Sequence, residues 1–213
     1  MGGWDNKFST GGDGTLEVYG TPNALMNNFN QNSTNGYTLL FAGCSNIVDA
    51  SRMKLPTMDL PSAGYMQMFS GCTALTAAPD LPATGLAGNC YYKMFEECHS
   101  LSTAPQLPAT TLAEYCYLGM FYHCWSLNKM PELPADNLEL FCYQSMFDGC
   151  DSLTGTIVLS ASNIATGSYH GMFAGCDGIT DVIISATKIN YGYSLQSMFY
   201  YCSNLSSITV NFT

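Results

Sequence analysis

An α/β repeat solenoid is the fold class this sequence predicts. Three observations predict it: a register of 26 residues, a helical spacing inside each unit, and a short extended stretch between units. The pair Met-Phe recurs at Met68-Phe69, Met94-Phe95, Met120-Phe121, Met146-Phe147, Met172-Phe173 and Met198-Phe199, always 26 apart, with a looser first copy at Leu40-Phe41. Three residues after each Phe stands a cysteine: Cys44, Cys72, Cys98, Cys124, Cys150, Cys176 and Cys202. An aliphatic side chain follows three further on, and a tyrosine precedes the Phe by four at Tyr65, Tyr91, Tyr117, Tyr143 and Tyr169. About seven coils follow from this register.

Residues 1–36 fall outside the register and read as an N-terminal cap, leaving 37–213 as the solenoid. Within the cap, Thr15 to Tyr19 alternates like a strand after the turn Gly11-Gly12-Asp13-Gly14, and Ala24 to Phe29 reads as a short helix. A cap is expected because an open first coil would expose the core and an unpaired strand edge. Inside the coils, Leu86, Cys90, Met94 and Cys98 are spaced by four and flanked by Tyr91 and Phe95, which predicts one short helix per coil. The Pro-x-Leu-Pro-Ala segments at 79–83, 105–109 and 131–135 cannot continue that helix, because proline lacks the amide proton and forces its predecessor towards extended geometry.

In the last three copies Thr156 to Leu159, Asp181 to Ile184 and Ser207 to Val210 read as short β-branched strands. The strand class turns Val182 and Ile184 inward and the proline class Leu81, Leu107 and Leu133, which a local bulge between the two classes would reconcile. No polar cap follows the last strand, so the sequence is expected to be truncated there, with a final coil prone to self-association.

The core ladder is read as Phe69, Phe95, Phe121, Phe147, Phe173 and Phe199 beside Cys72, Cys98, Cys124, Cys150, Cys176 and Cys202. The ten cysteines fall into columns rather than a disulfide framework, since parallel side chains on stacked coils have the wrong geometry for a bond. They are expected to be buried free thiols that act as small apolar fillers. No Cys-x-x-Cys pair suggests a metal.

Charge narrows the function classes. Sixteen acids against five lysines and Arg52 give a net charge of −10, which repels phosphate backbones, so nucleic acid is not an expected partner. No stretch approaches the ~18 consecutive apolar residues of a membrane span. His99, His123 and His170 occupy three different repeat positions, and no nucleophile, base and orienter coincide. Neither an enzyme nor a cofactor is expected.

With its Met-Phe-x-x-Cys-x-x-Leu and Leu-Pro-Ala signatures, the chain resembles the BspA-like bacterial leucine-rich-repeat surface proteins over residues 37 to 212. The proline-rich strand region departs from their commoner pattern. The resemblance implies a right-handed leucine-rich-repeat superhelix, exported or held at a bacterial cell surface, that adheres to host or matrix components. Met1 to Trp4 lacks the basic start and apolar run of a signal peptide, so an export signal is not read in this chain.

Candidate binding residues are sought where the repeat varies. Four residues after the Phe, one column runs Thr73, His99, Trp125, Asp151, Asp177 and Ser203, placing His99 beside Trp125. Adjacent columns add Glu96, Tyr122 and Asp148, and Glu97, His123 and Gly149. Aromatic faces edged by carboxylates suit sugar rings or peptide side chains. The alternatives are a plain neutral surface or a metal held by Glu97, His99 and His123. A second candidate is the strand face, where Asp80, Gln106 and Glu132 form a polar ladder, with solvation as its plainer explanation. The expected function is noncatalytic recognition of a protein or glycan. The alternative is a spacer or scaffold, in a surface protein or a phage fibre, with no ligand of its own.

Overall fold

Each unit of the chain hangs from the next by backbone hydrogen bonds that reach forward by one coil. In the computed structural model, which describes residues 14–22, 36–55, 60–190 and 192–212, Tyr65, Gln67, Phe69 and Gly71 donate their N–H groups to the carbonyls of Cys90, Tyr92, Met94 and Glu96. The next coil repeats the pattern from Tyr91, Lys93, Phe95 and Glu97 to Cys116, Leu118, Met120 and Tyr122. The residues in between bond within their own coil, three positions back: Tyr92 to Asn89, Met94 to Tyr91, Glu96 to Lys93 and Cys98 to Phe95. The result is a stack of 26-residue coils, compatible with a repeat solenoid, in which one flank of every coil is a ribbon of linked turns.

This ribbon replaces the short helix expected in each coil, and no α-helix occurs among the described residues. The spacing explains why. Apolar positions at 86, 90, 94 and 98 recur every four residues without a three-residue step. A helix of 3.6 residues per turn would drift about 40° at each such step and carry the stripe around its surface. A backbone whose conformation itself repeats every four residues returns Cys90, Met94 and Cys98 to the same inner side, and all three are buried. Every fourth residue accordingly takes a positive φ: Asn89, Lys93 and Glu97 in one coil, and Gly167, Gly171 and Gly175 in another. Each non-glycine residue held there costs roughly 1 kcal/mol, offset by the inter-coil bonds and by burial.

Behind the ribbon lies the core. The Phe rings from Phe41 to Phe199 stack coil upon coil, for example Phe95 on Phe121 at 5.8 Å between centroids with 7° between planes. Tyr37, Tyr65, Tyr91, Tyr117, Tyr143 and Tyr169 form a second stacked column. All ten cysteines are free, and all but Cys202 are buried. They do more than fill space. The thiols of Cys72, Cys98, Cys124, Cys150, Cys176 and Cys202 each donate to the carbonyl of the Phe one coil earlier, at 3.0 to 3.2 Å. In the second cysteine column, Ser168 takes the place of Cys142 one coil on, and its hydroxyl donates to the carbonyl of Ala165 at 2.7 Å.

The opposite flank of each coil, the return, changes character along the stack. Strands β1 (Leu16–Glu17) and β2 (Ile47–Asp49) pair in parallel at the N-terminal end. β1 lies inside the strand expected for the cap, whereas the expected helix from Ala24 to Phe29, the turn residues up to Asp13 and the boundary at 36 lie in or beside segments outside the described residues. Three proline coils follow. Leu81, Ala83, Leu107, Ala109 and Ala135 point into the core in alternation, yet, among the described residues, 78–83, 104–109 and 130–135 make no backbone hydrogen bonds to neighbouring coils. Then β3 (Gly155–Leu159), β5 (Ile179–Ala186) and β7 (Ser207–Phe212) form a parallel sheet in the order β3-β5-β7, with β4 (Asn163–Ile164) and β6 (Lys188–Ile189) paired at the next corner.

Val182 and Ile184 face the core as expected, and so do Leu81 and Leu107, but Leu133 is only partly buried. A register shift falls within the sheet, between Gly155 and Thr156 of β3 against β5. In the seventh coil Leu195, Phe199, Cys202 and Leu205 are less buried than their counterparts, and Ile208 and Val210 are exposed. No helix among the described residues is long and apolar enough to cross a membrane.

Candidate functional site

The ribbon ends at the Cys of each coil, and the following turn carries the most variable column to the surface. Ser100 donates its N–H back to Thr73, and Ser152 donates back to Trp125, so these turns are pinned to the coil before them. On that footing His99 and Trp125 lie face to face, 3.7 Å between centroids with 6° between planes, while Trp125 remains 48% exposed. The stack expected from the repeat is therefore formed. It presents a flat aromatic step whose two coils are joined just beyond it by the Asn128 N–H donating to the Ser102 carbonyl.

Tyr122 and His123 make a second aromatic pair, tilted by 30° at 3.9 Å. His123 has a positive φ, which aims its ring along the stack over Gly149; a Cβ added to Gly149 would come within 2.3 Å of the His123 ring. Glu97 and His123 hold a positive φ at the equivalent place, so what requires glycine at 149 is the His123 ring. The His99–Trp125 pair spans the third and fourth coils, and the Tyr122–His123 pair lies in the fourth, three and two residues before Trp125.

The carboxylates are arranged differently from the expectation. Glu96 turns to a network of its own: Lys93 bonds and pairs with it, and Ser70 donates to it at 3.1 Å. Lys93 in turn sits 5.3 Å from the centre of the Tyr122 ring. Burial opposes the charge on Lys93, but the hydrogen bond and charge of Glu96 prevail and raise its pKa. Burial pushes the Asp148 carboxyl above the usual carboxylate range, against the opposing effects of the His123 charge and the Ser145 hydrogen bond. Glu97, His99 and His123 do not gather as a metal site, and no group of three or more His, Cys, Asp or Glu side chains among the described residues is placed to hold a metal ion.

Asp80, Gln106 and Glu132 are all exposed, at equivalent places on the three proline coils. Glu132 also borders a cleft of about 790 Å³ that the sequence reading missed, between the fourth coil's proline segment and β3. Lys93 was missed as well, because its position in the repeat reads as plain surface. Only its positive φ turns it along the stack towards Tyr122.

Comparison with family models, with curated proteins and with solved structures finds no match to this chain.

Proposed function

We propose that the chain is a noncatalytic recognition and adhesion domain, a right-handed leucine-rich-repeat superhelix of the BspA-like kind, carried by an exported or cell-surface bacterial protein. The observation that carries the reading is the His99–Trp125 stack, a flat aromatic surface whose Trp125 is left nearly half exposed. Large aromatics fixed in place before binding lose little entropy on contact, which is why they dominate recognition energetics. Tyr122 and His123 extend the same surface. The resemblance in the Met-Phe-x-x-Cys-x-x-Leu signature supports the family, and the ligand it favours is a sugar ring or an apolar peptide side chain.

The test is a screen of the whole chain against glycans and matrix proteins, repeated with Trp125→Ala. A bound ligand should lose about 2 kcal/mol or more of affinity on that substitution. Stability should change by no more than about 1 kcal/mol, since the side chain is half exposed. A blank screen, or a ligand indifferent to Trp125→Ala, would remove this site from consideration. The continuous Phe ladder favours a second reading, a stiff spacer without a ligand. On that reading deleting two whole coils alters function through length, and Trp125→Ala alters nothing.

A further inference from the structure

We infer that the outer face of the turn flank holds a binding site for a single neutral pyranose unit of a glycan, set between Phe141 and Tyr193 where the sixth coil contributes no ring. This shares with the preceding reading only the premise of a recognition domain, and it uses different coils and different columns.

One column of the ribbon, six residues before the Phe, runs Tyr115, Phe141, Gly167 and Tyr193 over the last four coils. All four residues hold a positive φ, which turns side chains along the stack. Tyr115 accordingly stacks on Phe141 at 5.4 Å with 13° between planes, and Phe141 leans over Gly167, where an added Cβ would lie 2.0 Å from its ring. There the series breaks. Gly167 has no ring to lay on Phe141, and the next ring of the column, Tyr193, belongs to the seventh coil and is 65% exposed. A cavity of about 210 Å³ opens in the gap, lined by Phe141, Gln144, His170, Tyr193 and Gln196.

The chemistry of this lining selects the guest. None of the five side chains is an acid, a lysine or an arginine, so nothing there offsets the desolvation of an ionic group, and the net charge of −10 repels anions. The volume lies below the ~300–1,000 Å³ of sites that enclose drug-sized ligands, which limits the guest to one ring. Phe141 and Tyr193 give that ring apolar surface to lie against, with His170 edge-on to Tyr193 at 75°. The column three residues before the Phe supplies the polar groups, Gln144, His170 and Gln196 on successive coils. Each glutamine amide both donates and accepts. Gln144 Nε2 and His170 Nδ1 are 3.2 Å apart; the amide donates and Nδ1 accepts, which puts the proton of the uncharged imidazole on Nε2, a further donor. A pyranose matches this division, with C–H groups on its face and hydroxyls that donate and accept around its rim. An aromatic peptide side chain would use the faces and give the amides no partner.

An array of neutral and acidic glycans probed with the whole chain tests this, followed by titration of the best-bound neutral oligosaccharide. Neutral glycans should bind and acidic ones should not. Affinity should fall about tenfold or more on Tyr193→Ala, and about fivefold or more on Gln196→Leu, which keeps apolar volume and removes the amide. Both side chains are exposed, so the circular dichroism of these variants should match that of the wild-type chain. The side-chain amide signals of Gln144 and Gln196 should shift in NMR spectra as the oligosaccharide is added, and affinity should be unchanged on Trp125→Ala. A blank array, binding confined to acidic glycans, or affinity indifferent to Tyr193→Ala would overturn the site. Indifference to Gln196→Leu alone would overturn the sugar and assign an apolar guest. A glycan lost on Trp125→Ala but kept on Tyr193→Ala belongs to the His99–Trp125 step, and one lost on Tyr193→Ala but kept on Trp125→Ala belongs here, so the two sites fail separately.

Discussion

The two flanks of a coil solve the same stacking problem in opposite ways. The turn flank repeats one backbone from the first coil to the seventh, with bonds at every second residue and rings stacked behind it. The return flank tolerates three coils whose proline segments form no backbone bonds to other described residues of neighbouring coils, and three strand coils that form a sheet. Uniform backbone geometry on one side thus frees the other to vary. A candidate cleft arises where the return changes type, and a candidate aromatic step arises at the turn between the flanks.

Alkali should separate the flanks most forcefully, because both cysteine columns and the Tyr column belong to the turn flank. Burial raises these groups; the thiols of Cys72 and Cys116 are pushed up to about 12 from an ordinary 9.0. A raised acid favours the folded state while neutral, so its contribution is whole below pH 9 and is lost as pH climbs through 12. Circular dichroism followed against pH should be flat between neutrality and about pH 9 and collapse above it. A protein that keeps its signal at pH 12 would show that these thiols are not sealed from water.

Truncating the ladder is the next largest perturbation. Phe121→Ala should cost about 3–5 kcal/mol in urea unfolding, since the ring is fully buried between Phe95 and Phe147. A loss under 1 kcal/mol would mean the turn flank is held by its backbone alone.

Glycine substitutions compare the flanks directly. At Gly167, φ is +65° and an added Cβ would lie 2.0 Å from the Phe141 ring, so Gly167→Ala should destabilise by about 1–3 kcal/mol. At Gly85, on the return, an added Cβ meets nothing within 4 Å and no positive φ is needed, so Gly85→Ala should stay within about 0.5 kcal/mol or stabilise slightly. Equal effects at the two sites would abolish the distinction between flanks. One effect on the turn flank has the opposite sign. The Tyr91 hydroxyl is buried without a hydrogen-bond partner, and Tyr91→Phe should raise stability by about 1 kcal/mol in the same assay.

Much of this was legible in the sequence. The 26-residue register placed the Phe and Cys ladders, and one shared column put His99 against Trp125. The backbone of the turn flank was misread because spacing by four resembles a helix over a single coil. The cue lay in its regularity, and in the sixth coil, where Gly167, Gly171 and Gly175 mark every fourth residue. The network of Lys93 with Glu96 and Tyr122 was not legible, since a positive φ redirects the side chain along the stack. The cleft was not legible either, because it depends on two coils of different type standing side by side.

The forward direction of the turn-flank bonds has an electrical consequence. From Tyr37 donating to Gly64 through Gly175 donating to Tyr200, the N–H groups that cross between coils on this flank all point towards the C-terminal end. Peptide dipoles of about 3.5 D aligned in this way add rather than cancel, as they do in a helix, whereas the alternating dipoles of a sheet largely compensate. The stack is therefore polarised along its axis, with its positive pole at the last coil. An α-helix has its positive pole at the start of the chain; here the sense is reversed, and the axis runs across the backbone instead of along it.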